Sequence, residues 1–381
     1  MKKNGYMLNR YYTITGLVFA ILLSSTTLIS STAQSIEPTP IPRELIPAPS
    51  IPPIPKIIDP LPIVPLLPPS PLYSINKVNS GLVAIDSLTN ETLNKEQLLS
   101  NPRYWSYGGS ATVQNSPFDI YKDSQGFHIG VQALSDGAWA GYYGVTPNTD
   151  ATLFHSVITA DRRTIPNPLT FYNNGMYVQT AAISDVNYVT CFADTSFWGT
   201  VWAIFLATGN ADGATQFTRL WYDPTFDQPL TRDCTIITNG NNYLKVYLDG
   251  QLAYENSTLN LQMPGPFNAF LEPQTSYAAE MQYGTYKDYY SAKSETVLVT
   301  NNPPLSASVK LVDSTGQVLA SAPVVSGTAN LTIGQYHMPL DAYIKVYDSN
   351  DIQLASTNSP VSIFGGDVYS VKLNLNLVIG K

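Results

Sequence analysis

Short runs of apolar and aromatic residues, separated by Gly, Asn, Asp and Pro, fill the chain from residue 112 to about residue 300. Many short runs with frequent turn residues are typical of β-strands and predict an all-β sandwich. The same pattern continues over residues 305–377, after a break of two Asn and two Pro at residues 301–304. We therefore expect a large antiparallel sandwich over residues 78–300 and a small β-sandwich over residues 305–377.

The stretch Phe171–Thr180, FYNNGMYVQT, holds an Asn-Gly pair between alternating apolar and polar residues. Such a pair is a strong signal for a hairpin turn, so we expect a turn there followed by a strand that enters the sandwich. The alternation predicts that Met176 and Val178 face the core. Tyr177 and Gln179 would then lie side by side on the opposite face.

A second hairpin is predicted in Leu244–Glu255, LKVYLDGQLAYE, around the Asp-Gly pair. A two-residue turn would set Leu248 opposite Gln251 and mix apolar and polar residues on one face. A three-residue loop with a bulge would instead pair Leu248 with Leu252. We expect the second register, because it keeps the core face apolar.

One helix is predicted outside the N-terminal region, over Glu91–Leu99. Thr89 or Asn90 would serve as its N-cap, and Pro102 would end it.

The segment Asn241–Glu255, NNYLKVYLDGQLAYE, resembles a strand, Asp-Gly turn and strand that recur in concanavalin A-like jelly rolls of the laminin G or legume-lectin type. This resemblance covers about residues 78–300 and implies two curved sheets with a concave face that commonly binds glycans. The final segment, residues 305–377, has the size and rhythm of an immunoglobulin-like sandwich. It resembles the accessory domains of prokaryotic, including archaeal, secreted surface proteins.

The N-terminus places Lys2, Lys3 and Arg10 before the apolar run Gly16–Leu23 and small polar residues that end at Ala33. This layout predicts a signal peptide over residues 1–33. An uncleaved membrane anchor is the alternative, because residues 11–30 carry no charge and have about the length that spans a bilayer.

Residues 34–77 are predicted to be a Pro-rich linker, since 14 of the 36 residues in Ile36–Pro71 are Pro. At that density we expect a disordered, extended spacer with neither helix nor sheet interior.

The composition indicates which classes of binding partner and which cellular compartment to expect. Charged residues make up 13% of the chain, the formal net charge is −8, and the sequence has no basic run, so nucleic acid is excluded as a partner. The two cysteines, Cys191 and Cys234, fit an exported chain in which they form a disulfide, and two buried free thiols are the alternative. We expect an extracellular or cell-surface location.

Aromatic residues cluster in several short segments, including WAGYYG, which begins at Trp139. Aromatic rings stack on the apolar face of a sugar, while amides and carboxylates bind its hydroxyls. Trp139, Tyr142 and Tyr143 are the first candidates for such a platform, because the neighbouring glycines leave room for a ligand. Tyr177 and Gln179 extend the candidate ligand-binding set.

Metal ligands are sparse in the sequence. The three histidines, His128, His155 and His337, show no metal-ligand spacing, so we expect no structural zinc and no other cofactor. Acidic and amide oxygens in two turns are candidate Ca²⁺ ligands. These turns contain Asp223 and Asp227, and Asn210 and Asp212.

Glutamic peptidases also resemble this chain, because WAGYYG, VQT and AFLE are similar, in order, to three of their short motifs. This resemblance implies that Gln179 and Glu272 form the catalytic pair, with the carboxylate as general base and the amide at the oxyanion. The spacing between the first two motifs is longer here than in that family, which weakens the assignment.

Alginate-lyase-type jelly rolls provide a further resemblance, through a strand motif similar to FYNNGMYVQ. It implies that Tyr177 is the acid and His155 the base. Asn173 stands where that motif has Lys, and the Arg-rich companion strand is missing.

The sequence favours binding over catalysis. We expect an exported protein that binds an extracellular carbohydrate or an envelope component through an aromatic face. The alternatives are a glutamic-type endopeptidase, a polysaccharide lyase, and a structural or adhesive envelope protein. Contact with a membrane is expected only through the N-terminal segment.

Overall fold

The structure is a computed structural model that describes residues 72–85, 91–100, 105–111, 115–147, 149–180, 187–209, 215–226 and 228–374. These residues form one helix, α1 (Lys95–Ser100), and 24 strands, which confirms the all-β fold class. The first twelve strands are β1 (Tyr73–Asn79), β2 (Leu82–Ile85), β3 (Ser106–Ala111), β4 (Phe118–Asp123), β5 (Gly126–Val131), β6 (Ala140–Val145), β7 (Leu153–Ala160), β8 (Tyr172–Thr180), β9 (Tyr188–Ser196), β10 (Gly199–Gly209), β11 (Thr215–Tyr222) and β12 (Thr231–Thr238). The others are β13 (Leu244–Leu248), β14 (Gln251–Asn256), β15 (Phe267–Thr275), β16 (Gln282–Ala292), β17 (Thr296–Thr300), β18 (Ser306–Val312), β19 (Val318–Pro323), β20 (Ala329–Thr332), β21 (Leu340–Asp348), β22 (Gln353–Ser356), β23 (Val361–Ile363) and β24 (Val368–Leu373).

Two antiparallel sheets pack face to face as the predicted jelly-roll sandwich. The seven-stranded sheet has the order β11-β10-β9-β8-β15-β6-β3. The eight-stranded sheet has the order β14-β13-β12-β7-β16-β5-β4, with β2 beside β16. The order of strands differs from their order in the chain, so most neighbours are brought together by long-range pairing.

The core of the sandwich lies between these two sheets. Met176 and Val178 of β8 enter it from the seven-stranded sheet, and Phe154 and Ile158 of β7 enter it from the eight-stranded sheet. Successive side chains of a strand point to opposite faces, so the alternate residues of both strands lie on the two outer faces of the sandwich. The inward orientation predicted for Met176 and Val178 is therefore correct.

A disulfide joins the two sheets through this core. Cys191 on β9 and Cys234 on β12 are bonded, with their Cα atoms 6.7 Å apart. The pairing expected from the sequence is confirmed.

The third sheet has nine strands, in the order β19-β18-β21-β22-β1-β24-β17-β20, with β23 beside β21. Strands β1 and β17 join it although they precede residue 305, where the sequence pattern places the start of the small sandwich. Strand β1 pairs with β24, setting Tyr73 opposite Leu373, a contact that no local pattern reveals. The immunoglobulin-like type of this sheet stays a prediction.

The nine-stranded sheet packs against the outer face of the eight-stranded sheet. Leu153 of β7 and Tyr290 of β16 belong to the same buried cluster as Ile344 and Val346 of β21. By contrast, Tyr177 and the other residues of the opposite outer face belong to neither buried core cluster. The outer face of the seven-stranded sheet is thus distinct from both cores.

The predicted turn at Asn174–Gly175 is wrong, because β8 passes straight through both residues. Strand β8 is hydrogen-bonded on one side to β9 and on the other to β15, and this pairing overrides the local turn preference. Gly175 serves close packing instead. A Cβ atom at this position would lie 2.4 Å from the Cβ of Phe192.

The helix begins later than predicted, because the preceding residues are held extended. Leu93 and Lys122 exchange two backbone hydrogen bonds of 2.9 and 2.8 Å, which delay the first helical turn. Asn94 is the N-cap, since its Oδ1 accepts a hydrogen bond from the Gln97 N–H at 3.0 Å. The proposed caps Thr89 and Asn90 are therefore wrong.

The β13–β14 hairpin combines features of both predicted registers. Leu248 pairs with Gln251 across a two-residue turn, so the expected pairing with Leu252 is wrong. Asp249 and Gly250 have φ angles of +51° and +72°, which this tight turn requires. A register shift beyond the turn sets Val246 opposite Tyr254 on the core face, whereas Leu252 pairs with Tyr247 and is 53% exposed.

The signal-peptide prediction and most of the linker prediction lie outside the described residues. Residues 73–77, predicted to be the end of the disordered linker, instead belong to β1, because they pair with β24. Among the residues that are described, no helix has both the length and the apolar character needed to cross a membrane.

Candidate functional site

The face of the seven-stranded sheet that points away from the eight-stranded sheet is here called the site face. Its side chains come from alternate positions of β6, β15, β8 and β9, and Trp139 lies just before β6 on the same side. The aromatic and polar side chains on these four strands include Tyr143, Asn173, Tyr177, Gln179, Tyr188, Phe192, Asp194, Asn268, Phe270, Glu272 and Gln274.

Glu272 on β15 is the most perturbed carboxyl group on the site face. Its side chain is buried, with 9% of its surface exposed. Burial raises the pKa of Glu272 from 4.5 to about 7, and a hydrogen bond from Gln274 acts in the opposite direction. Glu272 can therefore accept or donate a proton near neutral pH.

The position of Glu272 depends on a glycine in the neighbouring strand. A Cβ atom at Gly141 of β6 would lie 2.6 Å from Glu272 Oε1. Any larger residue at position 141 would displace the carboxyl group. From the sequence, this glycine was expected to leave room for a ligand. In the structure, Gly141 leaves room for the Glu272 side chain.

Trp139 is connected to Glu272 through Gln274. The Trp139 indole N–H donates to Gln274 Oε1 at 3.4 Å, and the Gln274 amide donates to the Glu272 carboxyl group. An amide can donate and accept at once, so Gln274 fixes both neighbours. The indole, which is partly exposed, is thereby held beside the carboxyl group.

Tyr143 and Phe270 form an aromatic pair next to Glu272. Their ring centroids are 5.4 Å apart at an interplanar angle of 61°. Tyr143 lies flat across β3, because Gly108 has no side chain; a Cβ there would lie 2.7 Å from the Tyr143 hydroxyl. Burial, and then the charge of Glu272, raise the pKa of Tyr143, so its hydroxyl stays protonated and can donate a hydrogen bond.

A second carboxyl group, Asp194 on β9, lies two strands away from Glu272. Burial raises the pKa of Asp194 to about 6, and the side chain is partly exposed at the surface. The Asn173 amide is assigned the orientation in which its nitrogen faces the carboxylate, and it then donates a hydrogen bond to Asp194 Oδ1 at 2.7 Å. Strand β8 separates the two carboxyl groups.

Further aromatic rings continue the site face along β8 and β9. Tyr177 is 7% exposed, and its ring meets that of Tyr188 edge to face at 5.5 Å. Gln179 is partly exposed at the far end of this pair. Tyr188 and Phe270 are also partly exposed, so rings and amides alternate on a surface that a ligand can reach.

Gln179 and Glu272 share the site face but do not meet. Gln179 pairs with Asn268, whereas Glu272 pairs with Gly175. Four residues along a strand correspond to about 13 Å, too far for both groups to act on one carbonyl. Gln179 and Glu272 therefore cannot act together as the predicted pair, and the amide that is hydrogen-bonded to Glu272 is Gln274.

Tyr177 and His155 lie on opposite outer faces of the sandwich, so the proposed acid and base cannot share a cleft. His155 is fully buried on β7 under the nine-stranded sheet, stacked on Tyr290 at 4.5 Å. Tyr142 is also misplaced in the predicted platform. It points into the core and stacks on Phe118 at 3.9 Å, because it alternates with Tyr143.

One of the candidate Ca²⁺ ligands is described. Asp223 Oδ1 accepts the Thr225 N–H at 3.0 Å, an ordinary turn interaction, and Arg232 lies 3.8 Å from its other oxygen. Asp227, Asn210 and Asp212 lie outside the described residues.

Sequence reasoning missed Gln274 and Asp194. The signal for Gln274 was the alternation in LEPQT, which sets residues 272 and 274 on one face of a strand. No local signal identified Asp194, because its proximity to Asn173 follows from the pairing of β8 with β9.

Comparison with known proteins gives fold-level similarity. No protein-family model matches the chain, and no curated protein matches it at a significant level. LamAcat from Zobellia galactanivorans is 12% identical with a TM-score of 0.38, and the match covers 56% of this chain and 98% of that one. A carbohydrate binding module from Bacillus subtilis is 10% identical with a TM-score of 0.31, covering 49% and 95%. An alginate lyase from Pseudomonas aeruginosa is 10% identical with a TM-score of 0.34, covering 55% and 100%. Similarities at this level carry no argument about function.

Proposed function

We propose that the protein is exported and binds carbohydrate on the site face. One observation carries the proposal: partly exposed aromatic rings and hydrogen-bonding side chains alternate across adjacent strands of one sheet. A sugar has an apolar ring face, which can stack on an aromatic ring, and hydroxyl groups at its edge, which can bind neighbouring amides and carboxylates.

Trp139 is the principal stacking residue in this proposal. Its ring is partly exposed and is oriented by Gln274. The Glu272 and Gln274 side chains lie beside it and supply acceptors and donors for sugar hydroxyls. Tyr143 on β6 and Phe270 on β15 extend the apolar surface along the same two strands.

A glycan array probed with the full chain, followed by calorimetry with the retained oligosaccharide, tests the proposal. Trp139→Ala should weaken binding by about 10-fold or more, the range of an aromatic hot spot, which corresponds to about 1.4 kcal/mol. Trp198→Ala is the matched control, because Trp198 is 59% exposed in the turn between β9 and β10 and away from Gln274. Absence of glycan retention, or equal losses in both variants, would contradict the proposal.

The disulfide supports the proposed compartment. Cys191 and Cys234 are bonded, and such bonds persist in oxidising environments outside the cytosol. Fractionation of cells, with thiol labelling of the recovered protein, should find the oxidised chain outside the cytoplasm. Recovery of the reduced chain in the cytosol would refute the export proposal.

Hydrolysis is a second candidate function, favoured by the pKa of about 7 for Glu272. A group with a pKa near the working pH is an effective general acid or base. Glu272→Gln should abolish turnover of glycan or peptide substrates while it preserves binding. Turnover that persists in this variant would exclude Glu272 as the catalytic group.

A further inference from the structure

Two histidines that are far apart in the sequence lie side by side on the outer face of the eight-stranded sheet. The ring centroids of His155 and His337 are 5.0 Å apart. His155 lies on β7, and His337 lies in the segment between β20 and β21 of the nine-stranded sheet. The two sheets therefore each contribute one imidazole to the same place.

Asp233 on β12 completes what we call the His-Asp-His cluster: His155, Asp233 and His337. The His155 Nδ1 lies 3.1 Å from Asp233 Oδ1, and the His337 Nδ1 lies 3.9 Å from Asp233 Oδ2. One potential ligand atom from each of the three residues lies within 4.8 Å of the other two. The carboxylate is thus positioned between the two imidazoles.

These separations fit a tetrahedral metal centre. Bonds of about 2.0 to 2.1 Å to Zn²⁺ imply ligand atoms about 3.3 to 3.4 Å apart. The observed distances of 3.1 and 3.9 Å run to the two different oxygens of Asp233, and one ligand atom from each residue lies within 4.8 Å of the others. Side-chain movements that draw these three atoms together would complete the ligand set. Two imidazoles and one carboxylate suit Zn²⁺, whereas Ca²⁺ and Mg²⁺ prefer sets made of oxygen ligands.

The surroundings of the cluster also favour a cation. His155 is fully buried, and its Nδ1 faces the Asp233 carboxylate, so the negative charge lies on the side of the ring where the ion would bind. Asp288 Oδ2 lies 3.9 Å from the His337 Nε2 and adds a second negative charge. The His337 side chain is 50% exposed, which gives an ion access from solvent.

We propose that the His-Asp-His cluster binds one Zn²⁺ ion and thereby links the eight-stranded sheet to the segment between β20 and β21. Water would occupy the remaining position of the tetrahedron. The bound ion would hold His337, in the segment between β20 and β21, to strands β7 and β12 of the jelly roll.

His128 provides a matched comparison within the same chain. Its Nε2 lies 2.9 Å from Asp123 Oδ1, and its Nδ1 lies 3.0 Å from the Thr285 hydroxyl. His155 has the same two kinds of neighbour, a carboxylate and a Thr hydroxyl. Among the described residues, His155 has another histidine at ligand distance and His128 does not.

Calorimetric titration of the metal-stripped, untagged full chain with ZnCl₂ tests the proposal. We expect one ion per chain and a higher melting temperature in its presence. His337→Ala should weaken affinity by at least about 10-fold, since loss of even an outer-shell partner has that effect. His128→Ala should bind as the wild type does.

Failure to bind one ion per chain, or unchanged affinity in His337→Ala, would overturn the proposal. Equal loss in His128→Ala would do the same, because it would indicate non-specific binding. Should His337→Ala fold poorly by circular dichroism, His337→Gln provides the same comparison with less loss of packing. Co²⁺ should show ligand-field absorption in the wild type that either His337 substitution removes.

Discussion

Replacement of Glu272 by Gln should change how the stability of the protein depends on pH. Burial raises the pKa of Glu272 in the folded chain from 4.5 to about 7. The folded state therefore binds this proton more tightly than the unfolded state. Stability is greatest below the unfolded pKa of 4.5 and falls as the pH rises toward about 7, where the folded carboxyl group ionises.

The magnitude follows from the difference between the two pKa values. Each tenfold change in proton affinity is worth roughly 1.4 kcal/mol. The ionised Glu272 should therefore lower the free energy of unfolding by about 3 kcal/mol above neutral pH. Gln has nearly the same shape and no charge to desolvate, so Glu272→Gln should not show this loss. The variant should match the wild type near pH 4 and exceed its stability by about 3 kcal/mol near pH 8.5.

Equilibrium urea denaturation, followed by both tryptophan fluorescence and circular dichroism across this pH range, measures the difference. Glu96→Gln is the control, because Glu96 is exposed on α1, and it should show no comparable pH-dependent gain. A stability difference between Glu272→Gln and the wild type that stays constant with pH would refute the reasoning. A variant that becomes relatively less stable at high pH would also refute it.

Three further predictions concern the scaffold. Reduction of the Cys191–Cys234 bond, which spans 43 residues of sequence, should lower the unfolding free energy by about 4 kcal/mol in the chain-entropy model; an unchanged denaturation midpoint with reductant would contradict this. Gly175→Ala should destabilise by about 1 to 3 kcal/mol, because its Cβ would lie 2.4 Å from the Cβ of Phe192. A double-mutant cycle with Phe192→Gly, which removes that Cβ, should show coupling, and additive effects would exclude this contact as the cause. Asn94→Ala should lower the stability of α1 by about 1 kcal/mol through loss of the N-cap hydrogen bond. Amide hydrogen exchange in α1 measures this, and an unchanged exchange rate would show that the cap does not stabilise the helix.

Local chemistry in the sequence determined much of the sandwich. Alternation placed Met176 and Val178 in the core and Tyr177 on the opposite face, because a strand repeats every two residues. The same rule could have placed Gln274 beside Glu272. It also separates Tyr142 from Tyr143, which the predicted platform had grouped together.

The tertiary structure alone decided which strands are neighbours, and hence which side chains meet. Pairing on both edges kept β8 extended through Asn174–Gly175, although the local sequence favours a turn. The offset between Gln179 and Glu272 depends on the register of β8 with β15. His155 and His337 show no metal-ligand spacing in the sequence, yet packing of one sheet on another brings their rings to 5.0 Å. Register and sheet packing arise from contacts between distant segments, so local periodicity carries no record of them.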